Sequence, residues 1–588
     1  MSLIDSPVVE RPMPSVRVER VPVETLSLGR FGFDHLQLVF RSDFEAARAP
    51  QEDWFVIEGI RDANGRDVRL AVDGWHGGTT LSDANGGLVG DALTARIGTP
   101  ESRGPREIAE GSGAVELWAT LVSYAAEIEA QKFPYIALAL PGSPLPTLNS
   151  SSLVSSLLYH AGLDIGDAMP AGLRFSPGKK TLLGTSADET LATGKSFNAV
   201  LAGAGDDRLF GRNEQGVVDK LFGGRGDDVI HWSEGFDIVH GGEPGLAYED
   251  DGVDTIDYSG AGKVRLEAPR PGPAHVAPDF IASYAGGEDR LFSIEHIVWD
   301  VRSDRLSIGP GVGLSSPPVR IDFGGEHPSG KGDVIDLAAA DAGFEIVPAG
   351  ERTLQFTARV PWNGAEAHGL NVHGAEWIVG SPHGDRFVLA KGLRGVEGGM
   401  GDDVFDLRAA ERMFVSPGGG ENTVIVGAGE IAARSGAGVD RYVIAHPSAS
   451  LVIDDALPHD RIVVAWTPAR VSAAYDAASP RDLVVRVESE IDNETGAEIR
   501  VRGHQAGDLG LDSARGIAWV ADGQHFTMTS PPPTEPANAV EVSDSIAISP
   551  EATSRVWGTL EPDDMADVAE CGMIGLSLWD PIGLLGGG

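Results

Sequence analysis

The sequence predicts a mainly β protein: short parallel strands joined by glycine-aspartate turns, with an α/β domain before them and a β-rich module after. Three observations carry this. The 588-residue chain holds 77 glycines, far more than helical bundles use. One phrase recurs: Gly203-Ala204-Gly205-Asp206-Asp207-Arg208-Leu209, then Gly223-Gly224-Arg225-Gly226-Asp227-Asp228-Val229-Ile230, then Gly398-Gly399-Met400-Gly401-Asp402-Asp403-Val404-Phe405. Between and after these phrases lie short alternating apolar runs, the period of half-buried strands.

The recurring phrase has a physical reading. Its glycines open backbone angles closed to other residues. Aspartate and carbonyl oxygens are the hard ligands calcium prefers, and the aliphatic that follows starts a short inward-facing strand. A repeat of this spelling is the signature of a calcium-binding parallel β-helix. The candidate metal-site residues are Gly203, Gly205, Asp206, Asp207, Gly224, Gly226, Asp227, Asp228, Gly399, Gly401, Asp402 and Asp403.

On these phrases the chain resembles the RTX (repeat-in-toxin) hemolysin-type calcium-binding proteins over roughly its middle half. The resemblance implies a right-handed parallel β-roll and Ca2+ as the bound ion. It makes the first aspartate of each pair (Asp206, Asp227, Asp402) the stronger ligand. It also implies a secreted, extracellular protein exported by type I secretion machinery that reads an uncleaved C-terminal signal. Low cytosolic calcium would leave the repeats unfolded, and binding outside would drive folding, since binding free energy is then folding free energy.

Composition agrees. Eighty-seven acidic against 46 basic residues leave a formal charge of -41, which argues against nucleic acid as a partner. The single cysteine, Cys571, permits no intrachain disulfide and no cysteine-based zinc site. The first twenty residues lack the apolar core of a cleaved signal peptide. No stretch has the length of a transmembrane segment, so pore formation by apolar helices is not expected.

In chain order, residues 1–30 read as an extended lead-in. Residues 31–173 read as the α/β domain. Its strands are His35–Phe40, Trp54–Ile57 and Tyr135–Leu140, with a turn over Asp73–Gly78. Val115–Glu129 has a helical period, and a second helix is capped by the Asn149–Ser152 run and closed by Gly162. This order is similar to the circularly permuted papain-like amidohydrolases, in which a histidine on a strand precedes an Asn-Cys pair heading a helix. On that resemblance His35 is the base and Ser150 stands in the nucleophile position, making an amide hydrolase the alternative function. Serine replaces the family's cysteine, and no acidic partner for His35 is identifiable. The same residues also read as a plain strand histidine and a helix cap.

Residues 182–300 form the first repeat block, opening with Gly184–Leu191 and ending at Ser293-Ile294-Glu295-His296-Ile297, where the glutamate reads as structural. Residues 301–380 are a divergent β insert. Residues 381–465 form a second block, in which Asn422 replaces the aspartate and its coil stacks without an ion of its own. Residues 466–530 are a β-rich closing module. Residues 531–588, a proline-rich linker and an acidic-to-apolar tail, are the candidate secretion signal. The metalloprotease HExxH, lipase GxSxG and Walker A motifs are absent. His76, His231, His240 and His383 show no metal-ligand spacing. The target surface or substrate is not legible.

Overall fold

A computed structural model describes residues 13–22, 34–41, 54–62, 69–76, 79–80, 105–136, 138–139, 143–173, 176–242, 252–268, 278–299, 305–312, 319–324, 332–359, 369–457, 459–465, 468–489, 496–504, 518–521 and 524–527. The chain is mainly β, with large sheets rich in parallel pairs. It divides into two compact units, Met1–Ala261 with Pro269–Val298, and Gly262–Ala268 with Trp299–Gly588.

The first unit begins with a six-stranded antiparallel sheet. Its spatial order is Thr79–Thr80, Arg69–His76, Trp54–Asp62, Asp34–Arg41, Ser15–Pro22, Arg106–Glu110. The expected lead-in is therefore in part an interior strand. Val16 and Val18 face the core, while Glu19 pairs with Arg17 at 2.6 Å and accepts from Gln37 Nε2 at 3.1 Å. Arg20, where the next apolar residue would fall, interrupts the Val16 and Val18 alternation that would have marked the strand. The expected turn over Asp73–Gly78 is also corrected: Asp73 to His76 are in a strand, and Gly77 and Gly78 lie outside the described residues. Ile136 makes only an isolated bridge with Leu148 where a strand was expected.

Two helices cover the sheet. Ser112–Ala130 buries Ala114, Trp118, Leu121, Ala125 and Ile128, a spacing of three and four that forms one stripe. Ser150–His160 starts at Asn149, whose side chain accepts from Ser151 N–H at 2.9 Å, and Gly162 follows its end at φ 74. Leu36, Leu38, Leu121, Leu153 and Leu157 share one core with Leu183, Leu201 and Phe222 of the repeat region. Each such side chain contributes about 1.5–3 kcal/mol on burial.

From Thr181 the chain alternates between two parallel ladders. One joins Thr181–Leu183, Ala199–Ala204, Lys220–Arg225, Ile238–His240 and Gly287–Phe292. The other joins Thr190–Ala192, Arg208–Phe210, Val229–His231, Thr255–Asp257 and His296–Val298. The register stacks like on like: Leu182, Val200, Leu221, Val239 and Leu291 in the first, Leu191, Leu209, Ile230, Ile256 and Ile297 in the second, all buried. Each coil covers its apolar residues only against its neighbours. The first coil is closed off by the Ser150–His160 helix, where Ser156 Oγ accepts from Leu183 N–H at 2.8 Å and His160 Nε2 lies 2.8 Å from Leu183 O.

The second unit repeats the arrangement. Its first ladder runs in parallel from Val264–Glu267 through Val334–Asp336, Trp377–Val379 and Gly395–Glu397 to Ser450–Asp454 and Gly496–Val501. Leu483–Ser489 and Pro468–Tyr475 then add antiparallel strands. The second ladder stacks Phe387, Phe405, Val424, Tyr442 and Ile462 in register, with the rings of Phe387 and Phe405 parallel at 4.8 Å. The divergent insert belongs to these ladders. It interrupts the second with an antiparallel hairpin, Phe344–Gly350 and Thr353–Ala358.

Candidate metal centre

The turns that lead from the first ladder to the second carry the Gly-Asp phrases. In each, one acidic residue lies two positions before the inward-facing apolar residue. Its carboxylate accepts from the backbone N–H of its counterpart one coil earlier. In the first unit, Glu189 N–H donates to Asp207 Oδ1 at 2.6 Å, Asp207 N–H to Asp228 Oδ1 at 2.8 Å, Asp228 N–H to Asp254 Oδ1 at 3.0 Å, and Asp254 N–H to Glu295 Oε2 at 3.0 Å. The second unit has its own column: Phe344 N–H to Asp385 Oδ1 at 2.6 Å, Asp385 N–H to Asp403 Oδ1 at 2.7 Å, and Asp403 N–H to Asn422 Oδ1 at 2.9 Å. Asn422 Nδ2 donates onward to Asp440 Oδ1 at 2.9 Å, so the asparagine fills a carboxylate's place as acceptor and adds a donor.

The two aspartates of each pair have different surroundings. Asp206, Asp227 and Asp402 are exposed, whereas Asp207, Asp228 and Asp403 are at most 1 % exposed. The exposed set forms a second column of caps: Asp206 Oδ1 accepts from Asp227 N–H at 2.9 Å, Asp227 Oδ1 from Val253 N–H at 2.8 Å, and Asp402 Oδ1 from Glu421 N–H at 2.8 Å. Burial therefore ranks the second aspartate above the first, the reverse of the ranking implied by the resemblance.

The glycines hold this geometry open. Gly203, Gly205, Gly224, Gly226, Gly399 and Gly401 all have φ between 90 and 119, a region L side chains avoid. At Gly224 a Cβ would also collide with the carbonyl of Gly203 in the preceding coil. A second kind of glycine lies five positions before Asp228 and Asp403. A Cβ at Gly223 would run into Asp228 Oδ2 and Gly241 O, and one at Gly398 into Asp403 Oδ2 and Pro417 O. Each of these glycines thus lines a cradle faced by a buried carboxylate oxygen and a backbone carbonyl of the next coil.

Electrostatics single out the same atoms. Asp207 Oδ2 and Asp403 Oδ2 are buried without a hydrogen-bond donor. Burial pushes the Asp207 carboxyl up to about 7 and the Asp403 carboxyl up to about 8, with neighbouring carboxylates adding to both. A buried carboxylate demands a partner. Among the described residues no three Asp, Glu, His or Cys side chains converge on one point. Beside Gly223 the oxygens brought together are Asp228 Oδ2 and Gly241 O, and beside Gly398 they are Asp403 Oδ2 and Pro417 O. Carboxylate and carbonyl oxygens are the hard donors that calcium prefers, so the residues present fit that ion in kind.

The turns that lead back from the second ladder to the first are different, and their aspartates were not among the expected metal-site residues. Asp219 and Asp237 are buried there, and Asp289 in the strand Gly287–Phe292, each again two positions before an inward apolar residue. Asp219 is gripped by Arg212 Nη2 at 2.6 Å and Thr193 Oγ1 at 3.1 Å. Asp237 accepts from Ser233 Oγ at 2.6 Å, and Asp289 from Tyr284 at 2.7 Å and Tyr258 at 2.9 Å. Protein donors satisfy both oxygens of each. The histidines are likewise absorbed: His231 stacks on Phe210 at 4.3 Å, and His240 lies between Phe222 and Phe292.

Of the candidate catalytic pair, His35 lies in a strand opposite Val21, and its side chain is outside the described residues. Ser150 is 3 % exposed; its hydroxyl donates to Leu36 O at 2.5 Å and accepts from Gly59 N–H at 3.1 Å. That hydroxyl ties the helix start to the sheet.

No protein-family model matches this chain, and no curated protein matches it. No helix among the described residues is long and apolar enough to cross a membrane.

Proposed function

We propose that the chain is a calcium-binding exoprotein of the RTX kind, its alternating ladders a right-handed β-roll preceded by an α/β domain. One observation carries the reading: Asp403 Oδ2 is buried without a donor in a cradle that only glycine, at position 398, leaves open. Asp207, Asp228 and Asp403 are the side-chain ligands, with Gly241 O and Pro417 O as carbonyl ligands beside Asp228 and Asp403. Asp206, Asp227 and Asp402 cap the coils and add negative potential. Bound calcium supplies the counter-charge that keeps these carboxylates ionised in the interior. Binding is therefore coupled to folding, and folding on export by type I secretion machinery follows from low calcium inside the cell and high calcium outside.

The alternative, an amide hydrolase using His35 and Ser150, has no such observation behind it, because the Ser150 hydroxyl is engaged by main-chain groups. The test is a calcium titration of the chelator-treated chain by far-ultraviolet circular dichroism, with magnesium as control. A cooperative gain of β-structure specific to calcium supports the reading. An unchanged spectrum and unchanged thermal stability reject it.

A further inference from the structure

The residue five positions before a buried aspartate differs from coil to coil. It is Gly223 for Asp228, Gly398 for Asp403 and Gly380 for Asp385, but Ala202 for Asp207 and Ser435 for Asp440. At Gly223 and Gly398 the carboxylate oxygen packs against the bare glycine, whereas Ser435 places a hydroxyl beside it. Its Oγ lies 2.9 Å from Asp440 Oδ2 and 2.7 Å from Asp460 Oδ2, joining the buried carboxyls of two successive coils. The remaining lone pairs are also taken. Asp440 N–H donates to Asp460 Oδ1 at 2.9 Å, Leu457 N–H to Asp460 Oδ2 at 2.7 Å, Gly436 N–H to Asp440 Oδ2 at 3.2 Å, and Asn422 Nδ2 to Asp440 Oδ1 at 2.9 Å.

We infer that Ser435 is a built-in plug that takes the cation's place, so that the metal column of the second unit stops short of the Asp440 and Asp460 coils. The inference rests on the calcium reading. One hydroxyl has one proton to give, and its oxygen lies within hydrogen-bond distance of both carboxyls, so it bridges them without a metal. Ser381 seals Asp385 from the neighbouring position: its N–H donates to Oδ2 at 2.7 Å and its hydroxyl to Oδ1 at 3.0 Å. Among the described residues of this column, Asp403, beside Gly398, is thus the carboxylate whose Oδ2 has no hydrogen-bond donor, with Asp385 sealed on one side and Asn422 on the other. A glycine-to-serine exchange at the turn is a local means of setting how many ions the array takes.

The test counts calcium ions per chain by equilibrium dialysis of the full-length protein against radioactive calcium, with circular dichroism as the check on folding. Ser435→Gly is expected to gain one ion. Ser435→Ala, which keeps the space filled but removes the hydroxyl, is expected to gain none. Asp403→Asn, which reproduces the chemistry of Asn422, is expected to lose one. If the wild-type chain takes up no calcium, the calcium reading itself fails and the plug fails with it. If the wild type binds calcium and Ser435→Gly matches it, the plug alone is overturned. If Asp403→Asn retains the wild-type count, the open cradle is wrongly assigned. Should Ser435→Gly not fold, Ser381→Gly decides, with one added ion expected and an unchanged count overturning the inference.

Discussion

Replacing Asp403 by asparagine separates the electrostatic part of the account from everything else. Without calcium the Asp403 carboxyl sits at about 8 because burial penalises its charge, whereas in the unfolded chain it titrates at about 3.9. A group whose folded value is raised stabilises the native state fully below its unfolded value. That contribution is lost as pH climbs toward the folded value, because the unfolded chain releases its proton first. Over a span of about four pH units, at about 1.4 kcal/mol each, the loss by pH 8 is on the order of 5 kcal/mol. Asparagine carries no proton to lose. It keeps the Oδ1 that accepts from Asp385 N–H at 2.7 Å, and its amide can donate toward the cradle carbonyl. Urea denaturation in chelator is the assay. At pH 4.5 the two proteins are expected to be close. At pH 8 the variant is expected to be more stable by about 3–5 kcal/mol, and in saturating calcium that advantage shrinks or reverses, because the ion stabilises only the carboxylate. A variant less stable than wild type at pH 8 in chelator refutes the reasoning.

Three further outcomes follow from the same structure. Gly224→Ala puts a Cβ at φ 119 against the Gly203 carbonyl and is expected to cost at least about 1–3 kcal/mol; a thermal midpoint within error of wild type contradicts the coil spacing. Ser150→Ala leaves the Gly59 N–H without its acceptor and the Leu36 carbonyl without its donor, and is expected to lose about 1–3 kcal/mol in urea denaturation. For His240, burial between Phe222 and Phe292 lowers the imidazole to about 4, so the unfolded chain takes up its proton first. Stability falls as pH drops from 6.5 to 4, by up to about 3 kcal/mol. His240→Phe is expected to lose that acid sensitivity, and thermal melts across this range would show it unaltered if the burial is wrong.

The spelling of the turns made the coils legible because their physics is local. Glycines with positive φ and an aspartate two positions before an inward apolar residue recur in these turns: Asp228 before Ile230, Asp403 before Phe405, Asp440 before Tyr442. The rule of two positions also reaches Asp219 before Leu221, Asp237 before Val239 and Asp289 before Leu291. Asp237 and Asp289 fall in glycine-bearing phrases of the repeat, Gly235–Gly242 and Gly286–Leu291, but without a Gly-Asp-Asp spelling none of the three stands among the candidate ligands. Which aspartate of a pair turns inward depends on the register of the following strand, and in all three pairs it is the second. The Ser150–His160 helix and its Asn149 cap were readable from cap chemistry and apolar spacing. The role of its serines was not, since it depends on Leu36, Gly59 and Leu183, distant in sequence and brought close by the fold. The Ser15–Pro22 strand was hidden by its charged residues, and Glu19 finds its partners in Arg17 of the same strand and Gln37 of the neighbouring one.

Crystals of the full-length protein grown in calcium, with data collected to reveal anomalous scattering, test the central claim most directly. The account predicts a peak in the cradle between Gly398, Asp403 Oδ2 and Pro417 O, at about 2.3–2.6 Å from its oxygen ligands, and none between Ser435, Asp440 and Asp460. A cradle at Asp403 that stays without a peak at saturating calcium would contradict it.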